Sequence, residues 1–173
     1  MAIYNCLYSA FFQFDDARIS IIALFLFIVE CSAPAELQIN RFLPHTPIRI
    51  LINQHEKDLT YSIDHQSLLE TGKNFDKQQI ISFLNNQRLP ITTLLASAEQ
   101  KAKIEMQEVI DSASNNMLES LSAEIKRLAR LKKVNPTIRA EEIEELKDMT
   151  MLAHENIQAA QLRLDAVRFI ITS

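Results

Sequence analysis

Histidines and cysteines are the first residues to test for chemistry, because their spacing decides whether they can act together. His154-Glu155 opens the helical zinc-protease pattern, in which a second histidine one turn later completes the ligand pair. Gln158 occupies that position, so the pair is not made. His45, His55 and His65 recur at ten-residue intervals. They fall on a proline-bounded turn, a hairpin loop and a strand end, with no reason to converge, and read as solvated side chains. Gly72-Lys73-Asn74 ends like a phosphate-binding loop but lacks its first glycine and the Ser or Thr after the lysine. Cys6 and Cys31 have neither a neighbouring histidine nor a paired-cysteine ligand spacing. Two free, buried thiols in a reducing compartment is the preferred reading, with a disulfide as the alternative. These spacings therefore single out no catalytic, cofactor-binding or metal-binding residue.

One charged constellation remains. Lys126, Arg127, Arg130, Lys132 and Lys133 place five cations in eight residues. As a functional feature they could meet phosphates or an acidic partner, which makes them the candidate partner contact. As a structural feature they complement the negative end of a helix and face the Glu141–Glu145 cluster across a short turn. The structural account is the preferred one. Arg41, Arg49 and Arg88 are scattered and carry little.

Composition narrows the function classes further. The chain has 173 residues and a single glycine, Gly72. A Walker-type loop needs two glycines and a dinucleotide fingerprint about three, because only glycine lets backbone amides crowd a phosphate. The net charge is −4, from 18 basic and 22 acidic residues. Seven basic and nine acidic residues precede Pro90, and eleven and thirteen follow it, so neither half is basic. A domain that grips a nucleic-acid backbone by charge alone normally shows a clear basic excess. The apolar run Ile19–Val29 is too short to span a bilayer, which takes about twenty residues. It also lacks the positive start of a secretory leader. A doubly buried strand in a cytoplasmic protein is the expectation.

The elements that must position these residues follow from periodicity. Leu7–Phe14 and Ile19–Val29 read as strands, the second apolar on both faces and therefore covered on both. Leu37, Ile39 and Arg41-Phe42 alternate as on a half-exposed strand, which Pro44 and Pro47 break. Ile48, Ile50 and Ile52 alternate again, and after the polar Asn53–Asp58 loop so do Leu59, Tyr61 and Ile63, as in a hairpin. Gly72 lies in a polar stretch, and Asp76 caps a short helix over 76–88. From Pro90 the period becomes 3.6. Leu94, Ala98, Ala102, Met106, Val109, Ala113, Met117, Leu121, Ile125 and Leu128 form one stripe without Gly or Pro from Ile91 to Asn135, a helix of roughly 65 Å. Asn135-Pro136 ends it. A second helix begins near Thr137–Ala140, with the stripe Ile143, Leu146, Ala153, Ile157, Ala160 and Leu164, antiparallel to the first. Val167–Thr172 returns as a last strand. The expected architecture is a single α+β domain over 1–173: a mostly antiparallel sheet of five or six strands (1–64 and 166–172), a short helix (76–88) and a long helical hairpin (91–165).

The strings Val29-Glu30 with Ala33-Pro34, Leu37-Gln38, Asn40-Arg41-Phe42-Leu43-Pro44 and Thr46-Pro47 then carry a resemblance. Downstream, in order, come Leu121-Ser122-Ala123-Glu124, Arg127-Leu128, Val134-Asn135-Pro136, Ile138-Arg139 and Arg163-Leu164-Asp165-Ala166 with Arg168. From about Ile19 to its end the chain resembles the C-terminal region of the RapA family, bacterial RNA polymerase-associated ATPases of the SWI/SNF helicase-like superfamily. The resemblance implies a transcription factor that binds RNA polymerase and recycles it from post-termination complexes. It also implies that ATP and magnesium are bound on motor lobes whose motifs are absent here. On this reading the chain is the non-catalytic tail of such a factor, from a truncated or split gene, with no cofactor of its own. It departs from the family at the Asn53–Asp58 loop, at His45 and over residues 1–18. A missing upstream strand would leave an apolar edge exposed. The alternative is a free-standing helical-hairpin adaptor or structural protein that self-associates through its stripe.

Overall fold

The computed structural model describes residues 7–12, 20–64, 66, 78, 82, 91–135 and 137–172. Gly72, His65, Cys6, Arg88 and most of the expected 76–88 helix lie outside them. The chain divides into two compact units, one of residues 1–28, 47–104 and 163–173, the other of 29–46 and 105–162.

The first unit is built on a sheet. Its strands are β1 (Leu7–Phe12), β2 (Ser20–Glu30), β3 (Thr46–Asn53) and β4 (Gln161–Thr172), in the order β1-β4-β2-β3. β4, β2 and β3 run antiparallel. The start of β2 lies beside the end of β3, where Gln54 N donates to Ile21 O at 2.8 Å. β1 adds parallel to β4, in a register running from Leu7 opposite Val167 to Phe12 opposite Thr172. The sheet thus has four strands among the described residues, not five or six.

Burial of β2 on both faces follows from its composition. Ile22 and Leu24 form a core cluster with Leu51 and Ile170, against which Leu26, Leu59 and Ile63 pack. On the alternate positions Ile21, Ala23, Phe25, Phe27 and Val29 are buried too, and the Phe25 and Phe27 rings stack at 6.4 Å. The expected strand over Leu59–Ile63 is a turn, joined to β3 by an isolated bridge between Ile52 and Asp58 and by Leu59 N donating to Leu51 O at 2.7 Å. Local polar chemistry explains the difference. Asp58 Oδ1 accepts from Thr60 N at 2.9 Å, and the buried Thr60 hydroxyl accepts from Leu51 N at 3.0 Å. Arg49 Nη2 then donates to the carbonyls of Thr60 and Ile63 at 2.6 and 2.7 Å. These bonds fold the segment back and bring Leu59 and Ile63 onto the core cluster.

The second unit holds the helical hairpin. α1 spans Ile91–Lys132, about 63 Å of helix whose first part, with buried Leu94, Ala98 and Ala102, belongs to the first unit. α2 spans Ala140–Gln158 and buries Ile143, Thr150, Ala153 and Ile157. It stops before Ala160 and Leu164, so the hairpin ends at Gln158 and the final strand begins at Gln161 instead of Val167. Leu37, Ile39 and Phe42 are not on a strand either. They lie on and just after two 3-10 turns, Ala35–Leu37 and Ile39–Arg41, which pack on α2. Gln38 joins the turns in the left-handed region, φ 47°. Turning there buries Leu37 and Ile39 together, which an extended segment with the same spacing also does. Glu56, at φ 62°, is a second such residue, so this glycine-poor chain takes left-handed turns with ordinary side chains.

Candidate functional site

The five-cation segment lies at the turn end of the hairpin. α1 closes with i→i−3 bonds, Lys133 N to Arg130 O at 3.2 Å and Val134 N to Leu131 O at 3.0 Å. Asn135 Oδ1 then accepts from both the amide and the hydroxyl of Thr137. This turn sets α2 antiparallel to α1: Ser114 sits as far back from Lys132 as Gln158 does from Ala140, and the two are hydrogen-bonded.

The expected pairing of this segment with Glu141–Glu145 is not made. Arg127 is held by Glu124 on its own helix, through two bonds of 2.6 and 2.8 Å. That contact holds the Glu124 carboxyl below its ordinary range. Glu142 pairs with Arg139 and Glu144 with Lys147, each three residues away on the same segment. Lys126, Arg130, Lys132 and Lys133 are exposed and have no ion pair among the described residues. Leu131 and Val134 stand beside them, 37% and 80% exposed. The structure thus removes Arg127 from the free cations and adds two aliphatic side chains that a reading of charge alone passes over.

A shallow groove of about 180 Å³ lies elsewhere in the same unit, lined by Leu37, Phe42, Leu121, Leu146 and Met149. Arg41 is at its edge, stacked over the Phe42 ring at 5.2 Å. Nothing in the sequence singled this groove out, because its walls come from three separate segments.

The other candidates stay apart. His45 follows Pro44 on the surface, and His55 lies in the β3 turn, 3.2 Å from the Gln54 amide. His154 is half-buried on α2, and its Nδ1 is enclosed without a hydrogen-bond partner among the described residues. Among the described residues no three His, Cys, Asp or Glu side chains gather into a metal site. Cys31 is a free thiol that donates to Asn156 O at 3.1 Å, and burial pushes it up from its ordinary value. No helix among the described residues is long and apolar enough to cross a membrane.

Fold and surface together define an α+β module that carries a basic tip on a helical hairpin. The chain belongs to the RNA polymerase recycling family: its residues 17–172 match the C-terminal region of that family. Its curated relatives include the RNA polymerase-associated protein RapA of Yersinia pestis strain Pestoides F and that of Yersinia pseudotuberculosis serotype O:1b. Each is 32% identical over 154 residues, which is 89% of this chain. The chain spans 16% of the length of these relatives.

Proposed function

We propose that this chain is a docking domain for RNA polymerase, serving a recycling factor whose ATP hydrolysis is carried out by lobes outside it. The observation that carries this reading is the family match over 17–172, with relatives named for their association with the polymerase. It accords with the candidate residues, which are surface charges and exposed aliphatics and not a constellation suited to moving protons or phosphoryl groups. In such a module the work is positioning: a rigid hairpin holds a contact surface against the partner while chemistry proceeds elsewhere. ATP and magnesium then belong to the other lobes and have no site on these residues.

The test is size-exclusion chromatography of the purified chain with bacterial core RNA polymerase, coupled to an ATPase assay on the same fractions. Co-elution without ATP turnover is the expected result. Polymerase-dependent turnover by the chain alone would sink the non-catalytic reading, and separate elution at micromolar concentrations would sink the docking one.

A further inference from the structure

Four cations at the hairpin tip have nothing in the described chain to neutralise them. Lys126 and Arg130 are one turn apart on one helix face, and Lys132 and Lys133 continue the charge to the turn. The nearby carboxylates Glu124, Glu142 and Glu144 are committed to Arg127, Arg139 and Lys147. Leu131 and Val134 open to solvent in the midst of these cations.

We propose that this tip docks on an acidic protein surface that offers an aliphatic pocket between its carboxylates. The proposal rests on the docking reading above and names the chemistry of the contact. Apolar anchors inside a charged rim are the anatomy of a protein interface, where the anchors bury and the rim charges steer the encounter. A nucleic-acid backbone would satisfy the cations but give Leu131 and Val134 nothing apolar to cover. The segment 126–139 also carries no aromatic residue on which a base could stack. Glu141 and Glu145 lie exposed just beyond the turn and would repel a continuous run of phosphates. A discontinuous acidic patch on a protein avoids them.

The test uses the full chain, bacterial core RNA polymerase as the protein probe, and single- and double-stranded DNA oligonucleotides as the alternative. Two variants carry it: K126Q/R130Q/K132Q/K133Q, which removes the charge without reversing it, and L131S/V134S, which removes the anchors. Both sets of side chains are exposed or partly exposed, so both variants should fold, with thermal unfolding lowered only slightly by the loss of charge at the helix end. Each variant should weaken polymerase binding by about tenfold or more, and the parent affinity should fall steeply with salt. Polymerase binding unchanged in both variants would overturn the tip as the contact and leave the docking reading standing. No polymerase binding by the parent chain would overturn both. Oligonucleotides bound as tightly as polymerase would overturn the acidic-protein assignment in favour of nucleic acid.

Discussion

Gln158 Nε2 donates to Ser114 Oγ at 2.9 Å, bridging the two helices of the hairpin between residues 44 apart in the sequence. Ser114 is almost fully buried and lies beside Ala113 on the α1 face turned to α2, where small side chains let the helices approach. The bond satisfies a hydroxyl that burial would otherwise penalise, and it fixes the register of one helix on the other.

That register is open to a double-mutant cycle. Ser114→Ala and Gln158→Ala should each cost about 0.5–1 kcal/mol, and the double variant little more than one single, because both remove the same bond. Ser114→Leu should cost more, about 1–3 kcal/mol, by forcing the helices apart. Urea unfolding of the parent and the four variants checks both. Additive single costs would show that the bond contributes nothing.

Thr60 holds the turn that closes one face of the sheet. Thr60→Val keeps the shape but leaves Leu51 N without its acceptor in a buried place, and should cost about 1–3 kcal/mol. Leu51→Ala removes the centre of the core cluster below that turn and should cost about 2–5 kcal/mol. Chemical denaturation reads both. A Thr60→Val chain as stable as its parent would mean that the segment is not held by this hydroxyl.

Asp58 gives a pH dependence. Burial works to raise its carboxyl, but hydrogen bonds from Thr60 and the Lys101 ammonium at 2.9 Å outweigh it and hold the group below its ordinary value of 3.8. A carboxyl depressed on folding contributes stability above its unfolded value and loses it as pH falls through the lower folded one. Both partners are more than a third exposed, so solvent screening keeps the contribution below about 1 kcal/mol. Asp58→Asn should therefore narrow the stability difference between neutral pH and pH about 3. An unchanged acid profile in Asp58→Asn would assign that sensitivity to other carboxylates.

Cys31 should alkylate slowly in the folded chain. Burial raises its thiol, and only the thiolate reacts, so iodoacetamide labelling near neutral pH should be slower than in urea and should climb as the solution becomes more alkaline. Peptide mapping of the labelled site separates it from Cys6. Equal rates in the folded and unfolded chain would show that Cys31 is not shielded.

What could be read in advance depended on whether one signal or two competed at a position. β2 and α1 were legible because an eleven-residue apolar run and a long 3.6-period stripe each admit one solution. Leu37, Ile39 and Phe42 were not, since two 3-10 turns hinged on a left-handed Gln38 bury alternate residues much as a strand does. Leu164 satisfied the helical stripe of α2, yet it also belongs to the alternation Leu162, Leu164, Ala166 along β4, and the sheet won. At the hairpin tip the charges were legible but their partners were not. Same-helix neighbours three residues away captured Arg127 and Lys147, which leaves the remaining cations free for a partner.

The proposed docking role requires that this chain, without any motor lobe, bind RNA polymerase on its own. The direct measurement is titration of the fluorescently labelled chain with bacterial core RNA polymerase at several salt concentrations, with and without ATP. Saturable binding that weakens as salt rises and is indifferent to ATP is the expected result. An anisotropy that never saturates, or saturates only when ATP is present, would contradict it.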